Sequence, residues 1–148
     1  MKLWEHGNYV VGKCRQVLLF SGRGPWNDEA LEKGVENTSY ASESVDQSRP
    51  WGQLSCLYGE SLFPPSTYEL FLEQTRMRKN NGIRSIAIVI LNSDISNTIR
   101  QQLSSGYETV GVDYAFFDSV DAAIEWLESK EIDLDATEIK TFFESSRL

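Results

Sequence analysis

One histidine, His6, and two cysteines, Cys14 and Cys56, are all the imidazole and thiol in this 148-residue sequence. A structural metal knuckle needs four such ligands at short spacing, and a disulfide framework needs more cysteines than two. Both architectures are excluded, and the cysteines read as buried free thiols of a reducing compartment. A Cys–His or Ser–His nucleophile pair would need His6 beside one particular partner, and no spacing points to one. His6 reads as a surface turn residue in "EHGNY". The stretch "SGRGPW" has two glycines but no following Gly-Lys-Ser/Thr, and Pro25 removes a backbone donor, so no phosphate loop is present. Neither a cofactor nor a metal is expected.

Basic charge is also scarce. Fourteen Lys and Arg face twenty-two Asp and Glu, for a net charge of −8. A nucleic-acid surface requires a basic face, and an anionic bilayer would repel such a chain. Long apolar runs are missing too. The longest, Ile86 to Leu91, is far too short to cross a bilayer, so no integral membrane contact is expected. Met1–His6 meets acid and polar residues at once, with no apolar segment of the kind a secretory signal carries. The expected location is cytoplasmic.

What is there is an ordinary globular balance, 41% hydrophobic and 24% charged, in a length that suits one domain spanning 1–148. "YVVGKC" and "RQVLLF" read as strand, either one bent strand with a bulge at Gly12 or a tight pair. Asn27 is placed to cap a helix that opens with Asp28 and Glu29. Its inner stripe would be Leu31, Gly34, Val35, Thr38, Ala41 and Val45, weak and made of small residues. "GQLSCLY" is the next strand. In "GESLFPPSTYELFLEQTRMRKNNG", Ser66 and Glu69 have capping-box spacing. Tyr68, Phe71, Leu72 and Thr75 follow at helical period, Arg76, Arg78 and Lys79 sit where cations complement the dipole, and Gly82 is a left-handed stop.

"IRSIAIVIL" is a continuous β-branched run, as found in a parallel strand covered on both faces. A helix after "NSD" would carry Ile95, Ile99 and Leu103 inward, with Gly106 beyond its end. "VGVDYAFF" is the last strand. It runs into a helix whose stripe is Val120, Ala123, Ile124 and Leu127, with Asp118 or Ser119 as cap. A terminal helix follows over about 135–146, with the box-like pair Asp135 and Glu138 and an apolar face of Ile139, Phe142 and Phe143. Such a helix is too short to stand alone in water, so it docks on its own domain or on a second copy of the chain. Alternating strands and helices with short loops give an α/β fold, a single-layer, mostly parallel sheet flanked by helices, with an extra C-terminal helix.

Four stretches carry a family likeness: "GRGPWNDEA", "PPSTYELF", "IRSIAIVILNSD" and "AFFDSVDAAIEWL". Over a core of about 9–128 the chain resembles the SpoIIAA-like proteins, relatives of the STAS domains of anti-sigma-factor antagonists and sulphate transporters. The resemblance implies a SpoIIAA-like (STAS-like) fold and a regulatory, protein-binding role. It further implies a phosphorylated hydroxyl in an Asp-x-Ser-Gly turn before the second helix. The matching stretch "LYGESLFPPSTY" lacks that Asp and Ser-Gly and offers Ser61, Ser66 and Thr67 as candidate phospho-acceptors. Some members of the broader fold group bind lipids or other apolar ligands.

The chain is therefore expected to be a non-enzymatic protein-interaction or regulatory module, with a small apolar-ligand or lipid carrier as the alternative. A protein partner, a homodimer or a small apolar ligand are the partners in view, and no nucleic acid is. Trp126, beside its helix's apolar stripe, and Ile139, Phe142 and Phe143 are the candidate interface residues. Trp4, Trp26 and Trp51 read as core anchors.

Overall fold

The computed structural model describes the backbone of residues 2–4 and 7–148 and the side chains of residues 9–34 and 42–148. His6 lies outside the described residues, as do the side chains of Trp4, Val35, Thr38 and Ala41. The elements in chain order are β1 (Lys2–Trp4), β2 (Gly7–Cys14), β3 (Val17–Arg23), α1 (Asp28–Glu43), β4 (Trp51–Tyr58), α2 (Pro65–Asn80), β5 (Ile83–Leu91), α3 (Ser96–Val110), β6 (Asp113–Phe117), α4 (Val120–Ser129) and α5 (Ala136–Ser145). One sheet holds all six strands in sequential order. Its first two pairings are antiparallel and the other three parallel.

The β-branched run forms β5, between β4 and β6, and β4 is buried along its whole length. Side chains alternate across the sheet, so β4 and β5 each feed two cores. Leu57, Ile86 and Ile88 face the layer of α1, α2 and α3. Leu54, Cys56, Ala87 and Val89 face the layer of α4 and α5. This is the expected mostly parallel α/β sheet with helices on both sides and the extra C-terminal helix.

The first strand region resolves as a hairpin. Cys14 pairs with Val17 across the two-residue turn Arg15–Gln16, with Arg15 at φ 50°. Gly12 is regularly paired with Leu19 and is not a bulge. Its missing side chain serves packing instead, because a Cβ there would stand 2.6 Å from the Phe142 ring. Gly106, expected beyond the end of α3, lies inside it, where a Cβ would stand 2.6 Å from the Phe71 ring. It thereby lets α3 approach α2 closely, and Gly111, at φ 84°, is the left-handed stop. Gly82, at φ 93°, ends the α2 turn as its sequence position implies.

Three caps behave as their spacing suggests. Asn27 Oδ1 accepts from Ala30 N–H at 2.8 Å, Ser119 Oγ from Ala122 N–H at 3.2 Å, and Asp135 Oδ1 from Glu138 N–H at 3.1 Å. Ser66 does not cap. Helix α2 starts at Pro65 after Pro64, without a side-chain cap, and the Ser66 hydroxyl turns to Asp28. A proline needs no partner for its absent N–H, which lowers the demand for a cap there.

Helix α5 docks on its own sheet. Ile139 and Phe143 are buried in the core under α4, and Phe142 packs on β2 at Gly12. The chain end is held by Ser21 Oγ, which donates to the Ser146 carbonyl at 2.5 Å, and by Arg23 Nε, which donates to the Leu148 carbonyl at 2.8 Å.

Candidate functional site

Between the sheet and helices α1, α2 and α3 lies a cavity of about 70 Å³. Its floor is β4, whose residues Gln53, Ser55 and Leu57 share one face by strand alternation. Its walls are aromatic and aliphatic: Phe63 and Phe71 stack at 4.8 Å between ring centres, and Leu103 and Tyr107 enter from α3. Trp26, set by the loop after β3 and pinned by its backbone N–H, which donates to the Leu62 carbonyl at 3.0 Å, closes one side. Arg78, from the last turn of α2, closes another.

The polar groups of this cavity are incompletely paired. Gln53 is 6% exposed, and its amide nitrogen donates to Ser55 Oγ at 2.9 Å, while its Oε1 has no partner. Trp26 is 4% exposed, and its indole Nε1–H has no partner either. Buried donors and acceptors are almost always satisfied, and each one left open costs about 1–3 kcal/mol. Arg78 is half-buried and among the described residues makes no ion pair, and desolvation of its guanidinium pushes the pKa down. Burial pushes the neighbouring Tyr107 hydroxyl up. Gln74, by contrast, is satisfied through the Leu31 carbonyl at 3.0 Å, which ties α2 to α1 at the cavity edge.

The hydroxyls read as phospho-acceptors fall into three settings. Ser61 is fully buried, donating to the Tyr58 carbonyl at 2.9 Å and accepting from Gly24 N–H at 3.1 Å. Thr67 is 1% exposed and donates to Asp28 Oδ1 at 2.6 Å. Ser66 is exposed and donates to the same oxygen at 3.0 Å. Trp126 is half-buried against Phe117, with Lys130 Nζ 5.0 Å above its ring. The structure does not bring Trp126 or the hydroxyls to the cavity.

Neither thiol is set up as a nucleophile. Cys56 is buried, and desolvation pushes it up to about 12. Burial also raises Cys14, which sits 3.6 Å from both the Asp135 carbonyl and Glu138 Oε2. Among the described residues no group of His, Cys, Asp and Glu is placed to hold a metal, and no helix is long and apolar enough to cross a membrane.

The cavity residues escaped the sequence reading for physical reasons. Arg78 sits where a cation complements a helix dipole, and Trp26 looks like any core anchor. The available signal was Gln53 and Ser55: two polar residues on one face of a strand with covered neighbours on both sides.

No family model matches the chain, and no curated protein does. Among solved structures it is similar to the crystal structure of an uncharacterised protein of the DUF3478 family, with a SpoIIAA-like fold, from Shewanella loihica PV-4. The two share 12% identity and superpose with a TM-score of 0.56 over 86% of this chain and 98% of the other. At that identity the likeness establishes the SpoIIAA-like fold.

Proposed function

We propose that the protein is a non-enzymatic binding module whose ligand is a small molecule seated between the sheet and α1–α3. One observation carries this reading: Trp26 Nε1 and Gln53 Oε1 are both buried, both unpaired, and both in residues lining the same largely apolar cavity. Small-molecule sites combine apolar walls with a few convergent polar groups in this way. A void that served packing alone would be lined by apolar atoms. Cys14 and Cys56 lie in the core on the other face of the sheet, so the cavity lining holds no thiol nucleophile among the described residues. The reading extends to one domain over 1–148, with α5 as part of its second helical layer.

Native mass spectrometry of freshly purified protein tests it. A retained small molecule supports the reading. A clean apo mass, together with no binding in a small-molecule titration, overturns it.

A protein-interaction role is the second reading, favoured by Trp126. A half-exposed tryptophan packed on Phe117, with ring centres 5.5 Å apart and planes tilted by 48°, is the type of rigid aromatic anchor that interfaces use. A protein partner or a second copy of the chain would engage that surface, away from the cavity.

A further inference from the structure

We propose that the cavity ligand is a small carboxylate with a short apolar body, its anionic head received by Arg78, the Trp26 indole N–H and the Gln53 amide. This rests on the binding reading above and names its ligand class.

Charge comes first. Arg78 belongs to a chain with a net charge of −8, yet among the described residues no carboxylate meets its guanidinium. Three other arginines find acids, Arg15 and Arg49 sharing Asp133 and Arg84 pairing with Glu131; Arg23 meets the Leu148 carbonyl, Arg100 lies over the Phe116 ring, and Arg76 and Arg147 are exposed. Arg78 is half-buried in the cavity wall and its guanidinium cannot shed its proton, so an anion or acceptors brought into the cavity would stabilise it. The planar fork of arginine matches a carboxylate in two parallel hydrogen bonds.

The remaining polar groups agree in sign. Trp26 Nε1 can only donate. The Gln53 amide can turn over without losing Ser55: the Ser55 hydroxyl then donates to Oε1, and the NH₂ is offered to the cavity. In that state the cavity presents three donors and no unpaired acceptor among these three side chains, which suits an anion and disfavours an amine.

Size and walls set the rest. A volume of 70 Å³ is about five water-sized spheres, enough for a carboxylate and a few carbons. Phe63, Phe71, Leu57 and Leu103 offer those carbons an apolar surround. Inorganic phosphate has no part that would use such walls.

The experiment is a titration of ¹⁵N-labelled full-length protein with acetate, butanoate, benzoate, the matched primary amides, and inorganic phosphate. The indole N–H resonance of Trp26 is followed, and the dissociation constants are compared. Butanoate or benzoate is expected to shift that resonance and to bind at least about tenfold tighter than its amide. Arg78→Gln is expected to erase this preference while leaving amide binding in place, which shows that the variant is folded. Arg78→Lys restores part of it, and Trp26→Phe weakens the carboxylate alone. Amides binding as well as carboxylates would overturn the anion inference and leave the binding module standing. Phosphate binding in place of the carboxylates would overturn the ligand class. No binding by any probe would overturn both.

Discussion

The ring of Phe142 occupies the space that a side chain on Gly12 would fill, with a Cβ at Gly12 only 2.6 Å from its edge. That interlock joins the last helix to the second strand and makes α5 a wall of the second core, where Ile139 is fully buried and Phe143 nearly so. Truncation after Ile132 is expected to destabilise the protein by several kcal/mol, since Ile139 and Phe143 alone each bury about 1.5–3 kcal/mol of apolar side chain. Light scattering should find the same number of chains per particle as in the full-length protein. A truncation that melts at the same temperature would show that α5 is not docked. A full-length dimer that becomes a monomer on truncation would show that α5 serves an interface.

Asp28 binds two hydroxyls of α2 through one oxygen, Ser66 at 3.0 Å and Thr67 at 2.6 Å. Thr67 is buried, so removing its acceptor strands a polar group. Asp28→Ala should cost about 1–3 kcal/mol, and Asp28→Asn, which keeps an acceptor oxygen, clearly less. Urea denaturation of both variants measures the gap, and equal losses would mean that the charge, not the acceptor, matters. The same geometry bears on modification. A phosphate on Ser66 would face the Asp28 carboxylate, a like-charge contact, so phosphopeptide mapping from the host should find little or none there.

The junction between β6 and α4 separates two neighbours that sequence alone leaves equivalent. Ser119 is the cap, and Asp118 is an exposed residue before it. Ser119→Ala should cost about 1 kcal/mol and Asp118→Asn only a few tenths. Thermal melts of the two variants would reverse that order if Asp118 carried the helix end.

The contrast at that junction shows what was legible. Strand β5 was readable because the run Ser85–Ile90, all β-branched or small side chains, admits one setting, a covered parallel strand. The five helices were readable from apolar period and from caps such as Asn27 and Asp135, which act over three residues. The missed features all depend on a distant partner. Ser66 has the spacing of a capping box, but its hydroxyl meets Asp28, thirty-eight residues away. Gly12 and Gly106 look like a bulge and a stop until Phe142 and Phe71 are placed against them. The cavity is the extreme case, because Trp26, Gln53 and Arg78 come to line one space only through the sheet order and the packing of the helices over β4.

Cys56 gives the protein an alkaline weakness with a calculable sign. Burial alone lifts its thiol from the ordinary 9.0 to about 12. In the unfolded chain the thiol loses its proton as pH passes 9, whereas in the folded protein it keeps it until about 12. The folded state then binds more protons, so stability falls as pH rises. This contribution is complete below pH 9 and is lost progressively between 9 and 12, amounting to roughly 2 kcal/mol by pH 10.5. Cys14, Tyr58 and Tyr107 are also raised by burial and act in the same direction. Urea denaturation from pH 7 to 10.5 should therefore show a steady loss in the wild type. Cys56→Ala should start lower at pH 7, because it leaves a small cavity, and then fall less steeply. Parallel slopes for the two proteins would show that the Cys56 thiol titrates alike folded and unfolded, and that its burial does not hold the proton.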